Sequence, residues 1–263
     1  MNHFVVFFRR ITKKFQIKAT CIIYFFNFIN LGEFMNTFKK LFFASLLSIS
    51  SFSFAEVSLS GNIAVTTDYV WRGMTQNAED PSVSGGFDLE HDSGFYIGLW
   101  AANVLASNTV TTGGADGIVG GANAADDVDV TSTGSMELDG YLGFAGSFND
   151  DAGYDIGYIA YTYPGVDAWD FEELYFSVDF FGAYVMYAAG IDDAADYYEV
   201  GYGIDAGPGS FSISYGDYDG MGTNYLIGYD WSVGDFTIGF AYTDFSGDVA
   251  ANDYDTAILT VSY

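Results

Sequence analysis

Short segments in which apolar and polar residues alternate run through the chain from residue 57 to residue 263. In the first segment, 57–72, one face carries six apolar or aromatic side chains: Val57, Leu59, Ile63, Val65, Tyr69 and Trp71. A period of two residues is that of a β-strand, whose successive side chains point to opposite faces of a sheet. We count twelve such segments, which predict an all-β chain: 57–72, 82–91, 94–103, 135–146, 153–163, 169–180, 182–190, 196–206, 209–216, 223–231, 235–245 and 254–263.

The connections between these segments alternate between short and long. Short turns such as HDSG, FFG and SVGD are built from Gly, Asp, Ser and Phe, whereas connections such as GMTQNAEDPS, YPGVDAW and SGDVAAND are longer. An even number of antiparallel strands with short turns at one end and longer loops at the other is typical of an outer-membrane barrel. We therefore predict a transmembrane, antiparallel, up-and-down β-barrel of about 12 strands with both termini on the periplasmic side.

The last nine residues, DTAILTVSY, form a strand that ends on an aromatic residue. A strand exposes unpaired backbone groups unless another strand covers it, so we expect this one to close the barrel against the strand that begins near Val57. Leu259, Val261 and Tyr263 share one face and resemble the signal by which outer-membrane barrels are recognised for assembly. Aromatic residues at strand ends suit the two interfacial girdles of a membrane barrel: Tyr69, Trp71, Phe95, Phe180, Trp231, Phe245 and Tyr263.

Charge and cysteine content exclude several functions. Seven of the eight basic residues precede residue 56, so the chain from Glu56 onward carries 34 acids and one base, Arg72. Phosphate backbones would repel such a surface, which excludes nucleic acid as a partner. The only cysteine, Cys21, also precedes residue 56, so the rest has neither a disulfide nor a thiolate site. A soluble β-sandwich is the alternative fold, but it rarely lacks lysine over some 190 residues as this chain does after Arg72.

The first 55 residues predict processing segments. Residues 35–55, from Met35, combine Lys39 and Lys40, an apolar stretch and small residues before Glu56, as a secretory signal peptide cleaved after Ala55 does. Residues 1–34 fit neither a signal nor a domain, and we interpret them as upstream sequence translated from a start assigned too early. An unusually long signal is the alternative. The barrel domain is expected over 56–263.

The residues from 57 onward resemble a known family. SLSGNIAVTTDYVWRGMTQNAEDPSVSGGFDLEHDSGFYIGLWAANV is similar to the N-terminal signature of the TorF family of porin-like bacterial proteins, and MELDGYLGFAG, DIGYIAYTYPG and EELYFSV are similar to its next blocks. The resemblance is strong over 57–180 and implies an outer-membrane porin-like barrel of a Gram-negative bacterium. It places the family's aromatic-Arg-Gly pattern on Trp71, Arg72 and Gly73, and its acidic pair on Glu137 and Asp139. The chain departs from the family in its acidity and in the long loop around 115–129, which leaves the pore size open.

The function of such a barrel depends on the side chains that the alternation points inward. A twelve-stranded barrel is intermediate between a filled eight-stranded barrel and a wide porin, which predicts a narrow pore, and rings of acids favour cations. Strand direction places the constriction candidates in the outer half: Asp68, Arg72, Glu137, Asp139, Glu173 and Glu199. Further lumen acids are Asp88, Glu90, Asp155, Asp179, Asp205 and Asp230. Arg72 could instead serve to offset buried carboxylates and hold the wall together.

We predict a channel for passive diffusion of small cationic or neutral solutes; the alternative is a non-conducting barrel that acts through its acidic loops as an adhesin or anchor. No catalytic residue is expected, because the only histidine after residue 56, His91, lies in a turn. No cofactor and no dedicated metal site are expected, since the Asp-rich loops lack the ligand spacing of a calcium loop and would bind divalent cations only weakly. The expected partners are outer-membrane lipid and lipopolysaccharide, the outer-membrane assembly machinery and small solutes.

Overall fold

The chain forms a closed antiparallel barrel of twelve strands, which confirms the predicted fold class. The computed structural model describes residues 57–112, 128–249 and 252–263. The expected signal peptide, the segment before it and most of the 115–129 loop lie outside the described residues. No helix among the described residues is long and apolar enough to cross a membrane.

The barrel strands follow one another around the wall in chain order. Two further strands, β2 (Val70–Trp71) and β3 (Met74–Thr75), pair only with each other, and one 3-10 helix spans Asp167–Trp169. The twelve wall strands are β1 (Val57–Thr66), β4 (Ser82–His91), β5 (Phe95–Thr112), β6 (Val128–Asn149), β7 (Ala152–Thr162), β8 (Phe171–Phe180), β9 (Ala183–Gly190), β10 (Tyr197–Ala206), β11 (Gly209–Tyr218), β12 (Gly222–Val233), β13 (Phe236–Gly247) and β14 (Tyr254–Ser262).

The two ends of the barrel differ in their connections. Turns of two or three residues join β4 to β5, β6 to β7, β8 to β9, β10 to β11 and β12 to β13 at one end, which also holds the start of β1 and the end of β14; we call it the turn end. The other end, called the loop end, holds the longer connections. Which end faces the periplasm stays a prediction.

The strand that closes the barrel makes the shortest pairing in the wall. β14 pairs with β13 from Thr237↔Ser262 to Phe245↔Tyr254, nine residue pairs, but with β1 over only three, from Ala64↔Ser262 to Thr66↔Thr260. Backbone bonds between Ile63 and Tyr263 (2.9 and 3.2 Å) extend this seam at the turn end. The expected closure between first and last strands is therefore present, over a short seam.

The alternation of side chains separates an apolar outside from a mixed inside. Outward residues such as Leu59, Phe87 and Phe211 are more than half exposed, as a surface made for lipid would be. Three aromatic residues expected in the girdles are placed differently. Tyr69 and Trp71 lie inside the barrel because the wall strand ends at Thr66, before either of them. Phe245 is buried inside because it shares the inward face of β13 with Thr243, so its assignment to a girdle was wrong.

The chain between Thr66 and Ser82 turns into the barrel rather than continuing the wall. β2 and β3 form a hairpin, paired Val70↔Thr75 and Trp71↔Met74, with Arg72 and Gly73 at its tip. The prediction of one strand over 57–72 was therefore wrong in its last six residues. The register of the wall does not need them, since β1 already pairs with β4 from Val57↔His91 to Thr66↔Ser82.

A two-stranded ribbon continues β5 and β6 past the neighbouring strands at the loop end. The two strands stay paired from Ala106↔Gly134 to Thr112↔Val128, beyond an irregularity between Asn103 and Ala106. The predicted strands were 94–103 and 135–146, so the outer parts of both strands were missed. Their Thr- and Ser-rich composition carries little of the apolar alternation that marks the wall.

Candidate functional site

Arg72 is held at the centre of the barrel by Glu173 and three aromatic rings. Its two terminal nitrogens donate hydrogen bonds of 2.7 Å each to the two carboxylate oxygens of Glu173 on β8. The guanidinium carbon lies 4.1 Å from the ring centroids of Trp71 and Tyr197 and 4.9 Å from that of Tyr218. Only 6% of the Arg72 side chain and 2% of the Glu173 side chain are exposed. A planar guanidinium suits this arrangement because it can pair in two bonds with a carboxylate while its faces stack on aromatic rings.

Polar contacts at the base of the hairpin hold it beside the seam between β1 and β14. Buried Asp68 accepts hydrogen bonds from Thr75 (2.8 Å) and from Tyr254 on β14 (2.5 Å). The backbone amide of Gln76 donates to the carbonyl of Tyr69 at 2.7 Å. The hairpin is therefore anchored beside the seam at its base and at Glu173 by its tip.

The tip of the hairpin packs against the wall beside the seam strand β14. Gly73 has a φ of +82°, and a Cβ atom there would lie 2.7 Å from the Cβ of Asn224 on β12 and 3.0 Å from that of Phe245 on β13. Glycine is required both by the left-handed backbone and by the contact. The hairpin tip therefore packs against β12 and β13, next to the seam strand β14, whereas the Arg72 side chain reaches Glu173 on β8 across the lumen.

Glu137 and Asp139, two inward neighbours on β6, lie beneath the hairpin. Each is only 1% exposed. The hydroxyl of Tyr69 donates to Oε1 of Glu137 at 3.1 Å, and the Tyr69 ring contacts Trp100 with centroids 5.4 Å apart. Oε2 of Glu137 and Oδ1 of Asp139 are buried without a hydrogen-bond partner in the described part of the chain.

Glu199 on β10 joins the same group through Tyr197. It accepts hydrogen bonds from Tyr184 (2.5 Å) and Tyr197 (2.8 Å), and the Tyr197 ring also stacks on Arg72. The structure therefore brings five of the six constriction candidates into one network around the hairpin, with the sixth, Asp68, at its base. They are covered by the hairpin rather than exposed on an open pore wall.

The turn-end half of the lumen is organised by tyrosine–carboxylate hydrogen bonds on the side formed by β4 to β8. Asp155 accepts a hydrogen bond of 2.7 Å from Tyr96, which also contacts Tyr175, and Asp88 accepts one from Tyr141. Asp205, at the turn end of β10, is exposed. The remaining lumen candidates, Glu90, Asp179 and Asp230, are half-buried at the same end.

Sequence reasoning missed the aromatic residues that form the cage around Arg72. Trp71 contacts Tyr161 and Tyr218 with ring centroids 5.7 and 5.5 Å apart, and Tyr161 also donates a hydrogen bond of 3.4 Å to Glu173. The alternation within the segment 153–163 predicts that Tyr161 points inward, but Tyr197 and Tyr218 were not singled out. Their positions on the inward faces of β10 and β11 were available from the alternation, whereas the partner they share depends on where the hairpin folds.

A family model described as a bacterial protein of unknown function, Gcw_chp, matches residues 53–261. The chain belongs to the Gcw_chp family. The match covers the described barrel up to Val261. No curated protein matches the chain.

Solved structures similar to this Gcw_chp member include porins. The KdgM porin aligns with a TM-score of 0.53 at 7% identity, over 77% of this chain and 98% of that one. At this identity the likeness shows the fold, a porin-like barrel. A triple-mutant porin of Rhodopseudomonas blastica aligns over 79% of this chain and 99% of that one at 13% identity, with a TM-score of 0.36 that carries no further argument.

Proposed function

We propose that this Gcw_chp protein is an outer-membrane channel for passive diffusion of small cationic or neutral solutes, with the passage set by the β2–β3 hairpin. The observation that carries the proposal is the hairpin inside a closed, porin-like barrel whose inward carboxylates at the turn end are exposed or half-buried. Resemblance of residues 57–180 to the TorF family supports the same function and an outer-membrane location.

The charge of the lumen favours cations over anions. Arg72 is the only basic residue after residue 56, and its charge is already matched by Glu173. The inward carboxylates of the turn-end half, including Asp205 and Asp230, therefore have no basic counterpart. Carboxylates inside a low-dielectric wall concentrate cations and repel anions, because the wall focuses their field along the pore.

Reversal potentials measured across a salt gradient in planar bilayers test the proposal. We expect a cation preference that is clear near 0.1 M salt, where the screening length is about 10 Å, and weak near 1 M, where it is about 3 Å. Changing Glu137→Gln together with Asp139→Asn should lower the cation preference if the charges of these two residues attract the ions that pass through the channel. Glu172→Gln is the matched control, because Glu172 precedes Glu173 on β8 and lies on the outer face. Anion preference of the unmodified protein would contradict the proposal.

The ribbon formed by β5 and β6 favours a second candidate, a non-conducting barrel that acts as an adhesin or anchor. The ribbon projects beyond the wall with exposed Leu105, Val110 and Val130. This function predicts no conductance at any voltage, and loss of surface attachment when residues 106–134 are removed. Lipopolysaccharide, the assembly machinery and weak divalent-cation binding at the acidic loops belong to both proposals.

A further inference from the structure

Two buried carboxylates on β6 face each other without a donor between them. Glu137 and Asp139 lie within hydrogen-bonding reach of each other, and each has one buried oxygen that accepts no hydrogen bond from the described residues. A buried acceptor without a partner is costly, and a buried like-charge pair is more costly still. The pair therefore needs either protons or a cation that Oε2 of Glu137 and Oδ1 of Asp139 can bind.

None of the described residues supplies a free positive charge. Arg72 is the only basic side chain after residue 56, and both its terminal nitrogens are engaged by Glu173. The groups that face the pair are neutral: the hydroxyls of Tyr69 and Tyr163, and the rings of Trp100 and Tyr161 on the adjacent strands. One shared proton would still leave a net negative charge buried among aromatic rings, whereas a divalent cation would neutralise both carboxylates.

We propose that Glu137 and Asp139 bind a divalent metal cation of the calcium type between wall and hairpin. Hard cations of this type take carboxylate, hydroxyl and water oxygens as ligands. Among the described residues no group of three or more His, Cys, Asp or Glu side chains forms a site, so the two carboxylates are the only charged ligands and water completes the shell. Because Tyr69 is bonded to the other oxygen of Glu137, the cation fastens the hairpin to β6. Binding does not depend on the channel conducting.

Terbium luminescence tests the site directly. Tb³⁺ replaces Ca²⁺ at oxygen sites and is excited by nearby Tyr and Trp side chains, here Tyr69 and Trp100. The detergent-purified protein should give saturable luminescence that Ca²⁺ displaces. The variant with Glu137→Gln and Asp139→Asn should bind Tb³⁺ at least about tenfold more weakly, because ligand charge sets the affinity of such sites.

A matched control removes two negative charges from the turn-end half of the lumen, as many as the first variant removes from the pair. The variant with Asp205→Asn and Asp230→Asn should keep the luminescence of the unmodified protein. Equal loss in both variants, or equal retention in both, would assign Tb³⁺ to diffuse acids and overturn the proposal. Channel failure with intact Tb³⁺ binding would refute the proposed transport alone.

Thermal unfolding separates a metal from a proton. A ligand bound only by the folded state raises its unfolding temperature, so Ca²⁺ should raise the midpoint of the unmodified protein and of the control but not of the Glu137→Gln, Asp139→Asn variant. That variant should remain folded in a chelator, since its amides carry no charge. An infrared band of a protonated carboxyl that persists in saturating Ca²⁺ and disappears in the variant would show that the pair holds a proton, and would overturn the proposal.

Discussion

At the scale of single residues, Arg72 holds the hairpin through one ion pair and three rings. The pair with Glu173 is almost fully buried, so its desolvation costs much of what the attraction returns. The contribution of this ion pair to the free energy of unfolding therefore becomes measurable when one partner is removed, because the other charge then remains buried alone.

Arg72→Gln should lower the free energy of unfolding by about 3–5 kcal/mol, the usual cost of leaving one buried charge unpaired. Urea unfolding in lipid vesicles measures it. The double variant with Arg72→Gln and Glu173→Gln should recover most of the loss, since neither charge is then buried. A single variant as stable as the unmodified protein would mean that the pair does not hold the hairpin.

Gly73→Ala should destabilise the hairpin by about 1–3 kcal/mol more than Gly207→Ala does. Both glycines have positive φ, +82° and +62°, so both substitutions strain the backbone. Only at Gly73 does the added Cβ meet the wall, whereas nothing lies within 4 Å of it at Gly207. Urea unfolding of the two variants isolates the contact between the tip and β12–β13, and equal destabilisation would contradict that contact.

Part of the site could be predicted from the sequence at this scale, and part could not. The period of two assigns Glu137, Asp139 and Glu173 to inward faces because each lies within a long alternating segment. Contacts across the lumen, such as that of Arg72 with Glu173, join residues 101 positions apart, and no local pattern encodes them. Phe245 was assigned to a girdle because aromatic residues favour strand ends. The period of two, applied to the same residue, places it inside the barrel.

At the scale of elements, the β2–β3 hairpin determines how much of the lumen is open. Replacing residues 69–76 with a short Gly-Ser linker should raise single-channel conductance severalfold, because it removes Trp71, Arg72 and Tyr69 from the middle of the barrel. Shortening the 191–196 loop at the same end is the control, and should leave conductance unchanged. Unchanged conductance in both would show that the hairpin does not limit the passage.

The hairpin was also the element that was not predicted from the sequence. Alternation continues from Val65 through Tyr69 to Trp71, so a strand of sixteen residues was expected where the wall strand has ten. The wall ends at Thr66 because its hydroxyl donates to the Asp68 carbonyl at 3.0 Å and the chain then turns inward. The Arg-Gly pair at 72–73 within an apolar segment was the available signal of a turn.

At the scale of the whole molecule, barrel closure depends on a short seam. Tyr263 bonds to Ile63 through both backbone groups, and its exposed ring lies 5.4 Å from that of Phe236. Tyr263→Asp should reduce the fraction of assembled protein, because it places a charge on the lipid-facing side of the closing strand. The heat-modifiable band on gels measures that fraction. Tyr263→Phe keeps the ring and should assemble normally, and normal assembly of both variants would contradict the role of this residue in closure.

The single basic residue of the barrel has a practical consequence for proteolysis. Trypsin cleaves after Lys or Arg, and beyond residue 56 the chain offers it one bond, Arg72–Gly73. That bond lies at the tip of the hairpin, where Gly73 is buried and Arg72 is stacked between rings. Trypsin therefore cuts the folded protein when the hairpin has left the lumen. The rate of digestion measures how often the hairpin leaves, and the protein needs no label.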